Sequence, residues 1–197
     1  MPKKVSVPAT QSRDTHSAKA SLDARAKAAY SVQEYAPRSA IEGVQIADLR
    51  RFNDDGGSMT ELGRLIDGAH NDLPGFVVRQ VNFSEMEAGA TKAFHLHRRQ
   101  TDVWFIPPGS KMLVVLGDCR EGSPTNGAVQ RLVLGDGTSK LVRIPPGVAH
   151  GVRNLATSRG QIIYFVDVNF DADPTRCDEG RLPWDHFGAD IWEVVKG

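Results

Sequence analysis

Between Ile41 and Val166 the apolar positions come in short runs broken by turn formers rather than at the three-to-four-residue spacing of an amphipathic helix. Val44-Gln45-Ile46, Phe76-Val77-Val78, Met112-Leu113-Val114-Val115-Leu116, Leu141-Val142-Arg143-Ile144 and Ile162-Ile163-Tyr164-Phe165-Val166 all have strand length. Asp54-Asp55-Gly56-Gly57, Pro107-Pro108-Gly109, Gly135-Asp136-Gly137 and Pro145-Pro146-Gly147 separate them, and such sequences suit tight turns. Many short strands with few helices predict an all-β sandwich or barrel. Glu61 to Ile66 reads as a strand or a short helix. After Asp171 the chain turns polar, and Trp184 and Trp192 are expected to fold back over the barrel.

Residues 1–38 are rich in Ala, Ser, Lys and Arg and poor in large apolar groups, so they bury too little to offset their ordering entropy. They are expected to form a flexible or partly helical N-terminal arm, with residues 39–197 as the barrel domain. Ser21 to Tyr30 has helix-forming composition and reads either as a short helix against a partner subunit or as part of a mobile tail.

Composition narrows the class of function. The 24 Lys and Arg residues balance the 24 Asp and Glu residues, which leaves no overall field to gather nucleic acid or an anionic membrane. The sequence has no apolar run of about 18 residues and no secretory h-region at its start. A cytoplasmic protein is expected. Cys119 and Cys177 are far apart and outside any CxxC pair, and are read as reduced thiols.

The residues that carry chemistry fall in two blocks. His95 and His97 lie two apart, so on a strand they share a face. Asp102 and Gly109 follow, and Gly89 precedes them. The second block, Pro145-Pro146-Gly147-Val148-Ala149-His150-Gly151, puts a histidine just past a Pro-Gly turn. The alternative to a working site is that these histidines fill a polar interior. His186, beside Asp185, reads as a packing residue, and His16 and His70 sit among polar neighbours.

In order and spacing the two blocks resemble the paired motifs of the cupin superfamily, with Asp102 where that pattern usually has Glu. The resemblance implies a double-stranded β-helix, the cupin jelly roll. In many cupins the matching positions, here His95, His97, Asp102 and His150, hold one divalent metal ion, and such ligands suit Fe, Mn, Ni or Zn.

From Ile41 to Trp192 the chain is similar to the dTDP-4-dehydrorhamnose 3,5-epimerase family. The carriers are Gly43-Val44, Asp54-Asp55-Gly56-Gly57-Ser58, Glu61 with Arg64, Gln80-Val81-Asn82-Phe83-Ser84 and Lys92-Ala93-Phe94-His95. Asp118-Cys119-Arg120-Glu121-Gly122-Ser123-Pro124-Thr125-Asn126-Gly127, Ile144 to Gly151, Tyr164 and Ile191-Trp192 complete them. The similarity implies epimerisation of a nucleotide-linked 4-keto-6-deoxy sugar by proton removal next to a ketone, without a cofactor. It puts His95 in the role of base and Tyr164 in that of acid, with Gln80, Asn82, Lys92, His150, Arg64 and Glu61 binding substrate. It also implies a homodimer.

Three positions depart from the family. Asp102 stands where a lysine helps stabilise negative charge, Gly56 replaces an arginine, and the carboxylate that orients the catalytic histidine is missing from its usual place. Asp178, Glu179 and Asp185 in the tail are candidate replacements. Two other readings therefore stay open: a metal-dependent cupin enzyme, for which His97 discriminates because the family usually has glutamine there, and a non-catalytic sugar-binding cupin.

Overall fold

The computed structural model describes residues 19–32 and 40–195. In the N-terminal unit, helix α1 spans Ala24–Ala29. The Asp23 side chain caps it by accepting a hydrogen bond from the Ala26 N–H at 2.8 Å. This helix is shorter than the Ser21–Tyr30 stretch expected. His16 lies outside the described residues.

The second unit holds fourteen strands: β1 (Gln45–Asp48), β2 (Arg51–Asp54), β3 (Gly57–Thr60), β4 (Leu65–Ile66), β5 (Ala69–His70), β6 (Gln80–Met86), β7 (Thr91–Leu96), β8 (Asp102–Phe105), β9 (Lys111–Asp118), β10 (Val129–Gly135), β11 (Lys140–Ile144), β12 (Val148–Asn154), β13 (Gly160–Val166) and β14 (Gly180–Arg181). Ten of them form two five-stranded antiparallel sheets, ordered β1-β11-β8-β13-β6 and β10-β9-β12-β7-β14. The remainder form the hairpins β2-β3 and β4-β5. This is the all-β architecture that the strand pattern predicts, in the jelly-roll form that the cupin resemblance implies.

The apolar runs look continuous because both faces of the central strands are covered. On β9, Met112, Val114 and Leu116 point into the barrel, while Leu113 and Val115 join Phe94, Ala149 and Trp192 in an outer cluster. On β8, Trp104 faces inward, while Val103 and Phe105 face outward and pack with Leu73, Phe76 and Leu141. The C-terminal tail covers the outer face of the second sheet. Trp192 is buried, packs tilted against Phe94 with ring centroids 5.2 Å apart and donates its indole N–H to the Trp184 carbonyl at 2.8 Å. Trp184 itself stays exposed.

Three local expectations are corrected. Phe76-Val77-Val78 forms no strand; Phe76 is buried in a connecting segment, and only Val77 makes an isolated bridge, to Ala69. From Glu61 to Ile66 only Leu65–Ile66 is regular. His70 is buried, with Nε2 2.9 Å from the Leu62 carbonyl, so the polar residues around it in sequence concealed a packing role.

The most specific sequence block is a structural clamp. Asp118, at the end of β9, is buried and accepts hydrogen bonds from Arg120 Nε and Nη2, both at 2.8 Å, and from the Ser123 and Thr125 hydroxyls, both at 2.6 Å. Arg120 also donates to the Glu42 carbonyl at 2.7 Å. Arg120 foremost, with the two hydroxyls, outweighs burial and holds the Asp118 carboxyl well below the usual range.

Candidate active site

A cavity of about 440 Å³ opens between the two sheets. His95, His97 and His150 line it from the side of the second sheet, and Asp102, Trp104 and Tyr164 from the first. His95 on β7 sits directly opposite His150 on β12 in the strand register, and their rings stack 5.8 Å apart. Below that pair the register shifts, so that Lys92 faces Val152. Lys92 also lines the cavity, with Nζ donating to the Glu85 carbonyl at 3.1 Å.

The tail strand β14 completes the wall. It pairs with β7 so that Gly180 faces Leu96 and Arg181 faces His95. A Cβ at Gly180 would stand 2.4 Å from the Leu96 carbonyl oxygen, so only glycine lets the two backbones approach this closely. The approach brings two side chains to His95. Glu179 Oε2 is 3.4 Å from Nδ1, and Arg181 Nη1 is 2.8 Å from Nε2. Arginine offers only donors, so Nε2 accepts and the imidazole proton sits on Nδ1, facing the carboxylate. Of the tail carboxylates, Glu179 is thus the one that contacts the histidine.

Asp178 does different work. Its carboxylate accepts the backbone N–H groups of Arg98, Arg99 and Gln100 at 2.9–3.2 Å, fixing the turn after His97. Burial opposes its ionisation, but the Gln100, Arg99 and Arg98 N–H groups prevail and the carboxyl is held below its ordinary value. Its carbonyl accepts from His97 Nδ1 at 2.7 Å. Among the described residues Asp185 forms no ion pair with His95, whose side-chain partners are Glu179 and Arg181, and His186 packs edge-on against Phe187.

His97, Asp102 and His150 form a buried cluster. His97 Nε2 is 3.7 Å from Asp102 Oδ1, and His150 Nε2 is 3.5 Å from Asp102 Oδ2. Each histidine turns Nδ1 toward a backbone carbonyl, Asp178 for His97 and Val148 for His150. Gln100 Nε2 donates to Asp102 Oδ1 at 2.7 Å, and Trp104 donates to Oδ2 at 3.0 Å. Burial alone would raise the Asp102 pKa, but His150, His97 and the Trp104 N–H together hold it well below the carboxylate range. Asp102, standing where the cupin pattern usually has glutamate, thus lies within ion-pair distance of both histidines.

Environment also biases the candidate base and acid. Desolvation lowers the His95 pKa, the Glu179 hydrogen bond opposes that, and the charges of His150 and Arg181 add to the lowering. Glu179 is lowered in turn, chiefly by its bond to His95. Tyr164 is raised by burial and then by the negative charges of Asp102 and Glu179, which keeps its hydroxyl protonated.

Not every expected site residue meets in this cavity. Gln80 and Asn82 lie on β6 at alternate, half-buried positions and bond to each other at 2.8 Å, without lining the cavity. Glu61 and Arg64 form an exposed pair at 2.9 Å beside a separate depression with Arg50 and Asp72. Arg181, Trp104 and Ser84 line the cavity without having been anticipated. The Gly-Arg pair following two acidic residues was the available signal for Arg181, but nothing in a polar tail fixes which strand it joins.

A family profile for dTDP-4-dehydrorhamnose 3,5-epimerase matches residues 38–188. The spore coat polysaccharide biosynthesis protein SpsL of Bacillus subtilis is 40% identical over 145 residues, covering 74% of this chain and 91% of that protein. A dTDP sugar isomerase from Desulfovibrio desulfuricans superposes with a TM-score of 0.64 at 28% identity, over 75% of this chain and 88% of its own. A dTDP-4-dehydrorhamnose 3,5-epimerase from Sulfolobus tokodaii gives a TM-score of 0.58 at 28% identity, over 70% and 77% of the two chains. Profile, sequence and fold agree, and the chain belongs to the dTDP-4-dehydrorhamnose 3,5-epimerase family.

Proposed function

We propose that this protein is a carbohydrate epimerase acting on a nucleotide-linked 4-keto-6-deoxy sugar, with His95 as base and Tyr164 as acid. The observation that carries the reading is that these two side chains line one cavity from opposite sheets. Inversion needs that arrangement: one group takes the proton next to the ketone from one face, and another returns a proton to the opposite face. Burial keeps His95 neutral and Tyr164 protonated, the states these roles require. Glu179 holds the Nδ1 proton of His95 and favours the imidazolium formed on proton transfer, much as a buried carboxylate serves a triad histidine. Lys92 and His150 are assigned to substrate within the cavity; Gln80 and Asn82 do not line it, and Glu61 and Arg64 make no contact with it within one chain.

The reading needs no cofactor. The atoms of His97, Asp102 and His150 lie within 4.8 Å of one another and suit a divalent ion in type and spacing, as do those of His95, His97 and Glu179. An ion held there would supply Lewis-acid polarisation of a substrate carbonyl. The Gln100 amide instead lies against both Asp102 Oδ1 and His97 Nε2, at 2.7 and 3.4 Å, and Asp102 already takes the Trp104 N–H. This favours a carboxylate that anchors the pocket floor.

A homodimer is the assembly we infer. Val81 and Phe83 project, more than half exposed, from β6 at the edge of its sheet, an apolar surface suited to a second copy. No helix among the described residues is long and apolar enough to cross a membrane, and a cytoplasmic location fits a nucleotide-sugar substrate. The test is incubation with dTDP-4-keto-6-deoxyglucose in deuterated water, with the protons on the carbons flanking the ketone followed by NMR. Loss of one or both signals is expected in the wild type, and a rate about 10²–10⁴ lower in Tyr164→Phe. Unchanged signals in the wild type overturn the reading.

A further inference from the structure

The cavity carries a sign problem. The position at which the family resemblance expects a lysine is Asp102, and an enolate forming near an aspartate needs a cation from elsewhere. The permanent cations lining the cavity are Lys92 and Arg181. Lys92 Nζ is engaged with the Glu85 carbonyl, whereas Arg181 holds the one imidazole nitrogen that a base must have free. A neutral imidazole has one lone pair in its ring plane, on Nε2 here, and the Arg181 N–H occupies it at 2.8 Å. As it stands, His95 cannot accept a proton.

We propose that Arg181 caps the lone pair of His95 in the free enzyme and transfers its N–H to the substrate's ketone oxygen on binding, uncovering the base and stabilising the enolate. The proposal rests on the epimerase reading above. Its geometry follows from the reaction. The hydrogen to be removed and the carbonyl oxygen sit on adjacent carbons, so a base and an oxyanion donor serving them must lie a few ångströms apart. Arg181 faces His95 across the β14–β7 ladder, lines the cavity and is itself exposed to solvent rather than packed in place.

The step balances without a co-reactant. His95 Nε2 takes the proton from the carbon next to the ketone, the C–H electron pair becomes the C=C bond, and the carbonyl π pair moves onto oxygen. Arg181 donates a hydrogen bond to that oxygen and stays protonated throughout. When the C=C pair takes a proton from Tyr164 on the other face, the ketone reforms and the carbon is inverted. His95 and Tyr164 then recover their starting states by proton exchange with solvent.

The experiment compares wild type, Arg181→Ala and Arg181→Lys with dTDP-4-keto-6-deoxyglucose. Removal of one such donor lowers kcat about 10²–10³-fold. Lysine should restore part of that, and guanidinium chloride at low millimolar levels should rescue Arg181→Ala saturably, where sodium chloride of equal ionic strength does not. A purely structural arginine would not be replaced by a free guanidinium ion. A second readout needs no substrate: titration of His95 by ¹⁵N NMR, in which its pKa rises in Arg181→Ala because a neighbouring positive charge has gone. A wild type that exchanges no deuterium sinks the epimerase reading; an unshifted His95 titration sinks the cap on its own. Given an active wild type, Arg181→Ala within threefold of its kcat, or a defect that guanidinium leaves unchanged, overturns the oxyanion role.

Discussion

Gly180→Ala tests how the tail assembles the site, because it alters no group with chemistry of its own. Its Cβ would lie 2.4 Å from the Leu96 carbonyl oxygen, against 3.4 Å for an ordinary close contact, so β14 must withdraw from β7 by about 1 Å. The obstacle is backbone and cannot rotate away. A retreat of about 1 Å takes the 2.8 Å Arg181–His95 bond and the 3.4 Å Glu179–His95 contact beyond hydrogen-bond reach. Misplacement on that scale costs about 10²-fold in rate, or about 2.7 kcal/mol of transition-state stabilisation. The fold should lose only about 1–3 kcal/mol, as for other overpacked sites. The assay is kcat by NMR-detected deuterium incorporation, with thermal unfolding in parallel. Gly109→Ala, where an added Cβ meets nothing within 4 Å, is the control. A folded Gly180→Ala protein with kcat within threefold of wild type would refute this account of the tail.

Three further outcomes are expected. Because His95 is lowered from its ordinary value of 6.5, the acidic limb of kcat/KM lies below that pH; Glu179→Gln, which removes the one neighbour raising it, should move the limb still lower while reducing kcat. Asp118→Asn should cost about 3–5 kcal/mol near pH 7, read by urea unfolding; since the native carboxyl is depressed, the gap is full above an unfolded pKa of about 3.9 and closes as pH falls below it. Dialysis against a chelator should leave the rate unchanged, with elemental analysis finding far less than one metal per chain; near one metal per chain, lost in His97→Ala, would contradict the cofactor-free reading.

Much of this was legible in the sequence for definable reasons. Strand-length apolar runs between Gly and Pro turns report a sheet sandwich whatever the pairing, and the two histidine blocks report which strands meet in the barrel. His95 and His150 accordingly face each other across one ladder. Continuous burial on β8 and β9 erased the alternation that would have separated inward from outward residues. Phe76 read as a strand because a buried loop residue and a buried strand residue are equally apolar. The tail was the hardest part. Glu179 could be named as a candidate because a carboxylate was wanted, but its selection over Asp178 and Asp185 depends on the register of a two-residue strand, set by contact between the Gly180 and Leu96 backbones. Arg181 is recruited by that same register, and no local pattern announces it.

The most direct test of the central claim is deuterium exchange in His95→Ala with dTDP-4-keto-6-deoxyglucose, beside a wild type assayed in the same deuterated buffer. The account predicts that the signals of the protons next to the ketone disappear with the wild type and persist at the enzyme-free rate with a folded His95→Ala protein. Exchange at the wild-type rate in that variant would show that another group removes the proton, and would contradict the assignment of His95 as the base.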